Sequence, residues 1–160
     1  MSIEIPANIN QLKISEQYLC YLNFYKNRFG SDIAVFIQVG DFWEAYAREK
    51  SNNRTEGDAR KIASLLDIEV AYKKDNDGPL LMAGVPVHSI SRFAKKLLNL
   101  HYKIVLVGQG GTAKDREGNE RLPRKVLKIL SPGTSIDDWF GDNNGDNSNF
   151  DDKSFNDRTF

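Results

Sequence analysis

The sequence predicts an α/β fold, a single mixed β-sheet flanked by α-helices, and three observations carry that expectation. Helical stripes and strand-like runs alternate along the chain. Residues 33–39 and 103–107 are short, β-branched and apolar on both faces, as strands in the middle of a sheet are. Ala59, Ile62, Ala63 and Leu66, and again Ile90, Phe93, Ala94, Leu97 and Leu98, recur at the three-and-four spacing of a one-sided helix.

Taken in order, residues 1–14 are polar, contain Pro6 and read as an N-terminal arm. Ser15 is the expected N-cap of a first helix, with Glu16 and Gln17 in its first turn and Ile14 stapled onto Leu19. Leu19, Leu22, Tyr25 and Phe29 give it a rough stripe, and Gly30 ends it. After strand 33–39, Gly40-Asp41 bends the chain into a second strand, 42–47. Residues 50–54 are a polar loop, and Thr55 with Asp58 has capping-box spacing before the second helix. Residues 69–73 suit an exposed edge strand, 75–78 a turn, and 80–83 a brief strand ending at Gly84. The last helix and strand 103–107 follow; 108–122, rich in Gly and charge, reads as a mobile loop before a final strand, 125–130. Pro132-Gly133 closes the domain, expected to span 15–136. Residues 137–160, rich in Asn and Asp, are expected to be an acidic disordered linker.

Composition narrows the function classes. The chain has 160 residues, 40% hydrophobic and 28% charged, enough for one domain with a core. Its net charge is zero, which excludes a histone-like coating protein; five Asp in 141–160 against Lys153 and Arg158 leave an excess of three positive charges before them. A lone Cys20 and the lack of a signal peptide or membrane-length apolar run point to an intracellular location, cytoplasmic, nucleoid or organellar, not a secreted or membrane one.

Enzyme signatures are weak. No G-x-x-x-x-G-K-[ST] loop occurs, so the chain lacks a P-loop, and it reads as no enzyme, with no catalytic residue assigned. Gly108-Gln109-Gly110-Gly111 suits a flexible connection better than a phosphate loop, because no helix follows to receive a phosphate. His88, His101 and Cys20 lack metal-ligand spacing, and no G-x-S-x-G elbow is present. Asp41 and Glu44 are too few for a nuclease carboxylate cluster.

The segment Gly40-Asp41-Phe42-Trp43-Glu44 is more informative. In an extended chain Phe42 and Glu44 point to one face and Trp43 to the other. Trp43 is expected inside, with Phe42 and Glu44 sharing an outer surface. An exposed aromatic ring beside an acid can wedge into a base step while the carboxyl meets a base edge.

Val39-Gly40-Asp41-Phe42-Trp43-Glu44, then 58–68 (DARKIASLLDI), 82–88 (MAGVPVH) and 125–134 (KVLKILSPGT), occur in this order. Together they resemble the N-terminal mismatch-recognition domain of the MutS family of DNA mismatch repair proteins, over residues 15–136. The resemblance implies a mixed sheet flanked by helices, with Phe42 and Glu44 matching the family's Phe-x-Glu mismatch-reading motif. It implies mispaired or looped double-stranded DNA as partner. Basic residues must then supply phosphate attraction, and Lys73, Lys74, Lys95, Lys96, Arg124 and Lys125 are the candidates. The chain departs from the family at Trp43, where Tyr is usual, at Gly108 before Gln109, where an acid is usual, and at Leu100-His101, where Gly usually ends the helix. The family's connector, lever, clamp and ATPase domains are absent here, and with them the ATP and Mg that the ATPase domain uses. No cofactor or metal is therefore expected in this chain. Asp157-Arg158-Thr159-Phe160 resembles the entry to a connector strand, so the chain reads as an excised domain or a split gene product. The rival expectation is a stand-alone structural or interaction subunit that has kept the fold and lost DNA reading.

Overall fold

A computed structural model describes residues 3–50, 52–110, 113–114, 120–121 and 123–133, with backbone alone at 74, 75, 113, 114, 120 and 121. The expected linker 137–160 lies outside the described residues. The elements are α1 (Ile14–Phe29), β1 (Ile33–Val39), β2 (Phe42–Glu49), β3 (Thr55–Gly57), α2 (Ala59–Leu66), β4 (Ala71–Asp75), β5 (Gly78–Pro86), α3 (Ile90–Asn99), β6 (Lys103–Gln109), β7 (Ala113–Lys114), β8 (Glu120–Arg121) and β9 (Arg124–Leu130). One sheet runs in the order β4-β5-β2-β1-β6-β9, with β3 added beside β2. Only β1 and β6 pair in parallel, so the sheet is mixed, as the alternation of elements predicts.

The two double-sided apolar runs are the two central strands. Residues 33–37 and 104–107 are fully buried, because helices cover both faces of the sheet there. Strand alternation separates the two sides. Tyr46 and Arg48 of β2 meet Tyr18 and Ser15 of α1. Ala47, Ala83 and Leu81 pack with Ala59 and Ala63 of α2, whose expected stripe is buried in full. Ile90, Ala94, Leu97 and Leu98 bury the face of α3, with Phe93 half-buried beside them. Edge strands β4 and β9 carry the charge that suits an edge.

Several boundaries differ from the sequence reading. Lys13, not Ser15, precedes α1; Ser15 lies inside its first turn and is buried, its hydroxyl 3.4 Å from Arg48 Nη2. The buried face of α1 is Tyr18, Tyr21 and Leu22, because phenol rings do the work expected of Leu19 and Tyr25, which stay half-buried. The N-terminal arm is anchored: Ile9 is buried and Asn10 Oδ1 accepts the Arg124 N–H at 2.9 Å.

Thr55 caps nothing. It begins the short strand β3, which continues the ladder on the far half of β2, and the Asp58 carboxylate meets Lys26 at 2.8 Å instead of capping α2. β4 starts at Ala71, two residues later than expected, and β5 runs through Gly84 to Pro86 because β2 is long enough to pair with it. The expected loop after residue 107 is partly strand: Gly108 and Gln109 extend β6 against Lys125 and Arg124, and β7 pairs with β8.

Candidate nucleic-acid interface

The site begins at the tight turn between β1 and β2. Val39 pairs with Phe42, leaving two residues, Gly40 and Asp41, to reverse the chain. Gly40 has φ +59°, the sign a type II′ turn requires at its first central residue, where glycine is favoured. The Val87 N–H bonds to the Asp41 carbonyl at 2.8 Å, tying this turn to the 3₁₀ turn Val87–Ser89 that leads into α3.

Phe42 is the first residue of β2 and stands at the rim of the sheet, 41% exposed. Trp43 points to the opposite face and is buried at 2%. Both agree with the alternation read from sequence. Glu44 does not share an outer surface with Phe42; it is only 6% exposed. The register explains the difference: two residues in from the rim, Glu44 lies between Ile37 of β1 and Gly84 of β5, with neighbours on both sides.

A buried carboxylate needs hydrogen-bond donors. Tyr46, two residues on and on the same face, donates its hydroxyl to Glu44 Oε1 at 2.6 Å, a short charge-assisted bond. Burial, and next the bond and the charge of Glu44, push the Tyr46 phenol far above its ordinary value, with Arg124 opposing. Tyr46 is therefore a fixed donor across the physiological pH range. Burial pulls the Arg124 guanidinium down, while Tyr46 and Glu44 hold it up. Arg124 Nε donates to the Gln38 carbonyl at 2.7 Å, which holds the guanidinium at this end of the sheet. Gln38 Oε1 accepts the Gln109 N–H at 3.0 Å, joining β1 to the extended end of β6. No second bond reaches Glu44 Oε2 among the described residues, and Gly84 lies beneath it: a Cβ there would stand 3.7 Å from Oε2 and 3.4 Å from Glu44 Cγ.

The six candidate phosphate contacts divide by position. Arg124 and Lys125 pair with Gln109 and Gly108, at the same end of the sheet as Phe42. Lys125 is exposed, whereas Arg124 is half-buried and engaged with Gln38. Lys73 is exposed on β4 but pairs with Leu80, which pairs with Arg48; six residues of β2 separate that rung from Phe42, roughly 20 Å. The Lys74 backbone lies one rung farther still, and its side chain is outside the described residues. Lys95 and Lys96 are exposed on α3, about 8 Å along the axis from its start beside the turn. The sequence reading missed Arg92, exposed in the first turn of α3 nearer to that end. It also missed Tyr46, Gln38 and Gly84. For Tyr46 the signal was present: residues i and i+2 of a strand share a face.

Among the described residues no three or more His, Cys, Asp or Glu side chains gather as metal ligands, and no helix is long and apolar enough to cross a membrane.

The chain matches the family of MutS domain I over residues 16–139. It is 31% identical over 138 residues to the DNA mismatch repair protein MutS of Petrotoga mobilis, an alignment covering 86% of this chain and 14% of that relative. The chain thus spans a small part of the relative's length. A mixed sheet with an aromatic residue at its rim and an acid two residues behind it accompanies these matches, and on them the chain belongs to the MutS family, as a domain I.

Proposed function

We propose that this chain is a DNA-binding module that recognises mispaired or looped bases by inserting Phe42 at the lesion while Glu44 meets a base edge. The observation that supports the reading most is the contrast at one sheet rim: Phe42 projects, and Glu44 sits directly behind it with one oxygen bonded and one not. Inserting an aromatic ring into a duplex unstacks a step, at a cost of a few kcal/mol. A mispair has already lost part of its stacking and kinks more readily, so the penalty there is smaller. The wedge reads deformability, and Phe42 carries it.

Glu44 adds discrimination. A carboxylate near phosphates is repelled, so an acid at this place lowers affinity for ordinary duplex. Against a base acceptor such as a purine N7, the carboxyl bonds only after taking up a proton. Among the described residues, Lys125 and Arg92 are exposed cations at this end that would meet the phosphate backbone.

The module works within a larger assembly, as one part of a mismatch repair protein whose remaining domains hold the DNA. The test is fluorescence anisotropy of the 160-residue chain with a labelled duplex, matched or carrying one mispair. Tighter binding to the mispaired duplex is expected. Equal binding to both, or none, would favour the rival reading of a structural or interaction subunit.

A further inference from the structure

We propose that Tyr46 and Gly84 are specificity-determining positioning residues, which present Glu44 with one oxygen tied and the other left open for a base. The proposal rests on the reading of Glu44 given above and names the groups that make it possible. Tyr46 holds Oε1 at 2.6 Å, and a short bond to a carboxylate fixes the rotation of the carboxyl group as well as its position. The Tyr46 ring is itself held, edge-on to Tyr18 at 5.9 Å between centroids, and Tyr18 is fully buried in α1. The carboxyl thus takes its orientation from the core. Glu44 as a whole is only 6% exposed, yet its second oxygen accepts no hydrogen bond among the described residues.

A side chain on β5 would stand against that oxygen. The cross-strand partner of Glu44 is instead Gly84, the one residue type that adds nothing beside Oε2. Arg124, held on the Gln38 carbonyl at 2.7 Å, supplies positive charge nearby without bonding the carboxylate. A tied oxygen, an uncovered oxygen and a cation held off by another partner together describe a group preset to accept or share one more hydrogen bond. The chemistry that fits is a base edge, presented by a nucleotide displaced from its stack.

The experiment compares affinity for mispaired and matched duplex in Tyr46→Phe, Glu44→Ala and the double variant of the full chain, with a thermal melt of each. Tyr46→Phe is expected to lower the mismatch preference roughly three- to tenfold, the range of a typical net hydrogen bond. In the Glu44→Ala background the same change should have no further effect. Should Tyr46→Phe lose its cooperative melt, Gly84→Ala takes its place. Its methyl group meets Glu44 at ordinary contact distances, so the fold should hold while the preference falls in the same Glu44-dependent way. Preference unchanged in these variants, or lowered equally with and without Glu44, overturns the positioning role. Preference unchanged in Glu44→Ala itself would instead remove Glu44 from the reading site, a separate failure with a separate signature.

Discussion

Phe42 and Glu44 stand two residues apart on β2, and that step inward gives them opposite energetics. Phe42 at the rim keeps 41% of its surface in water against 6% for Glu44, so its truncation removes only part of what a core ring contributes. Phe42→Ala should therefore melt within a few degrees of the wild type, while losing mismatch preference worth about 1–3 kcal/mol of base stacking. A melt lowered by ten degrees would show that the ring is part of the core. Glu44→Gln tests the partner. The amide keeps a hydrogen-bonding group beside Tyr46 and removes a charge that repels phosphate, at a fraction of a kcal/mol or more depending on screening. Matched duplex should bind more tightly and mispaired duplex change less, so discrimination falls. Binding titrations of both proteins with both duplexes check this. Parallel curves would mean that Glu44 takes no part in reading.

Elements with a strong period were legible, and those whose ends depend on distant partners were not. Strands β1 and β6, the stripe of α2 and the face of α3 follow from local pattern, because burial on both faces or on one leaves a direct mark on composition. Thr55 looked like a cap because capping boxes are local signals. It became a strand residue because the far half of β2 offered unpaired backbone, which no local pattern reveals. Glu44 went the same way: alternation gives the face, but only the register with Ile37 and Gly84 shows that the face is covered. The end of α3 carries a further test. Its C-terminus closes with His101 N–H on the Leu98 carbonyl and Tyr102 N–H on the Leu97 carbonyl, both at 3.0 Å, the paired bonds of a Schellman motif. That motif needs a left-handed residue, and His101 has φ +65°. A non-glycine residue held there costs about 1–2 kcal/mol, part of which glycine returns through its greater freedom in the unfolded chain. His101→Gly should stabilise the fold by about 0.5–1 kcal/mol, raising the melting midpoint by roughly 2–5 °C. A lowered midpoint would show that the imidazole makes a stabilising contact outweighing the strain.

Over the whole molecule, charge decides how DNA is met. Lys and Arg balance Asp and Glu at 22 each, so no general attraction to a polyanion acts, and affinity must come from the few cations around the reading rim. The chain should therefore bind weakly, with Kd about 10⁻⁴ to 10⁻⁶ M at physiological salt, and lose affinity as salt rises. Nanomolar binding insensitive to salt would contradict a single small interface. Position then separates the candidate cations, because a duplex whose lesion lies on Phe42 cannot serve every lysine equally. Lys125 is exposed at the same sheet end as Phe42, whereas Lys73 lies on the rung of Arg48, toward the other. Both are lysines on edge strands, so a uniform charge effect would weaken the two alanine variants alike. A phosphate contact acts differently: each one removed lowers the slope of log affinity against log salt by about one and weakens matched and mispaired duplexes together. Lys125→Ala should show that loss, and Lys73→Ala should leave slope and affinity near the wild type. Equal losses from both would reduce the two lysines to a uniform charge effect, and the reverse order would place the duplex across the β4 edge of the sheet, away from the rim that Phe42 occupies.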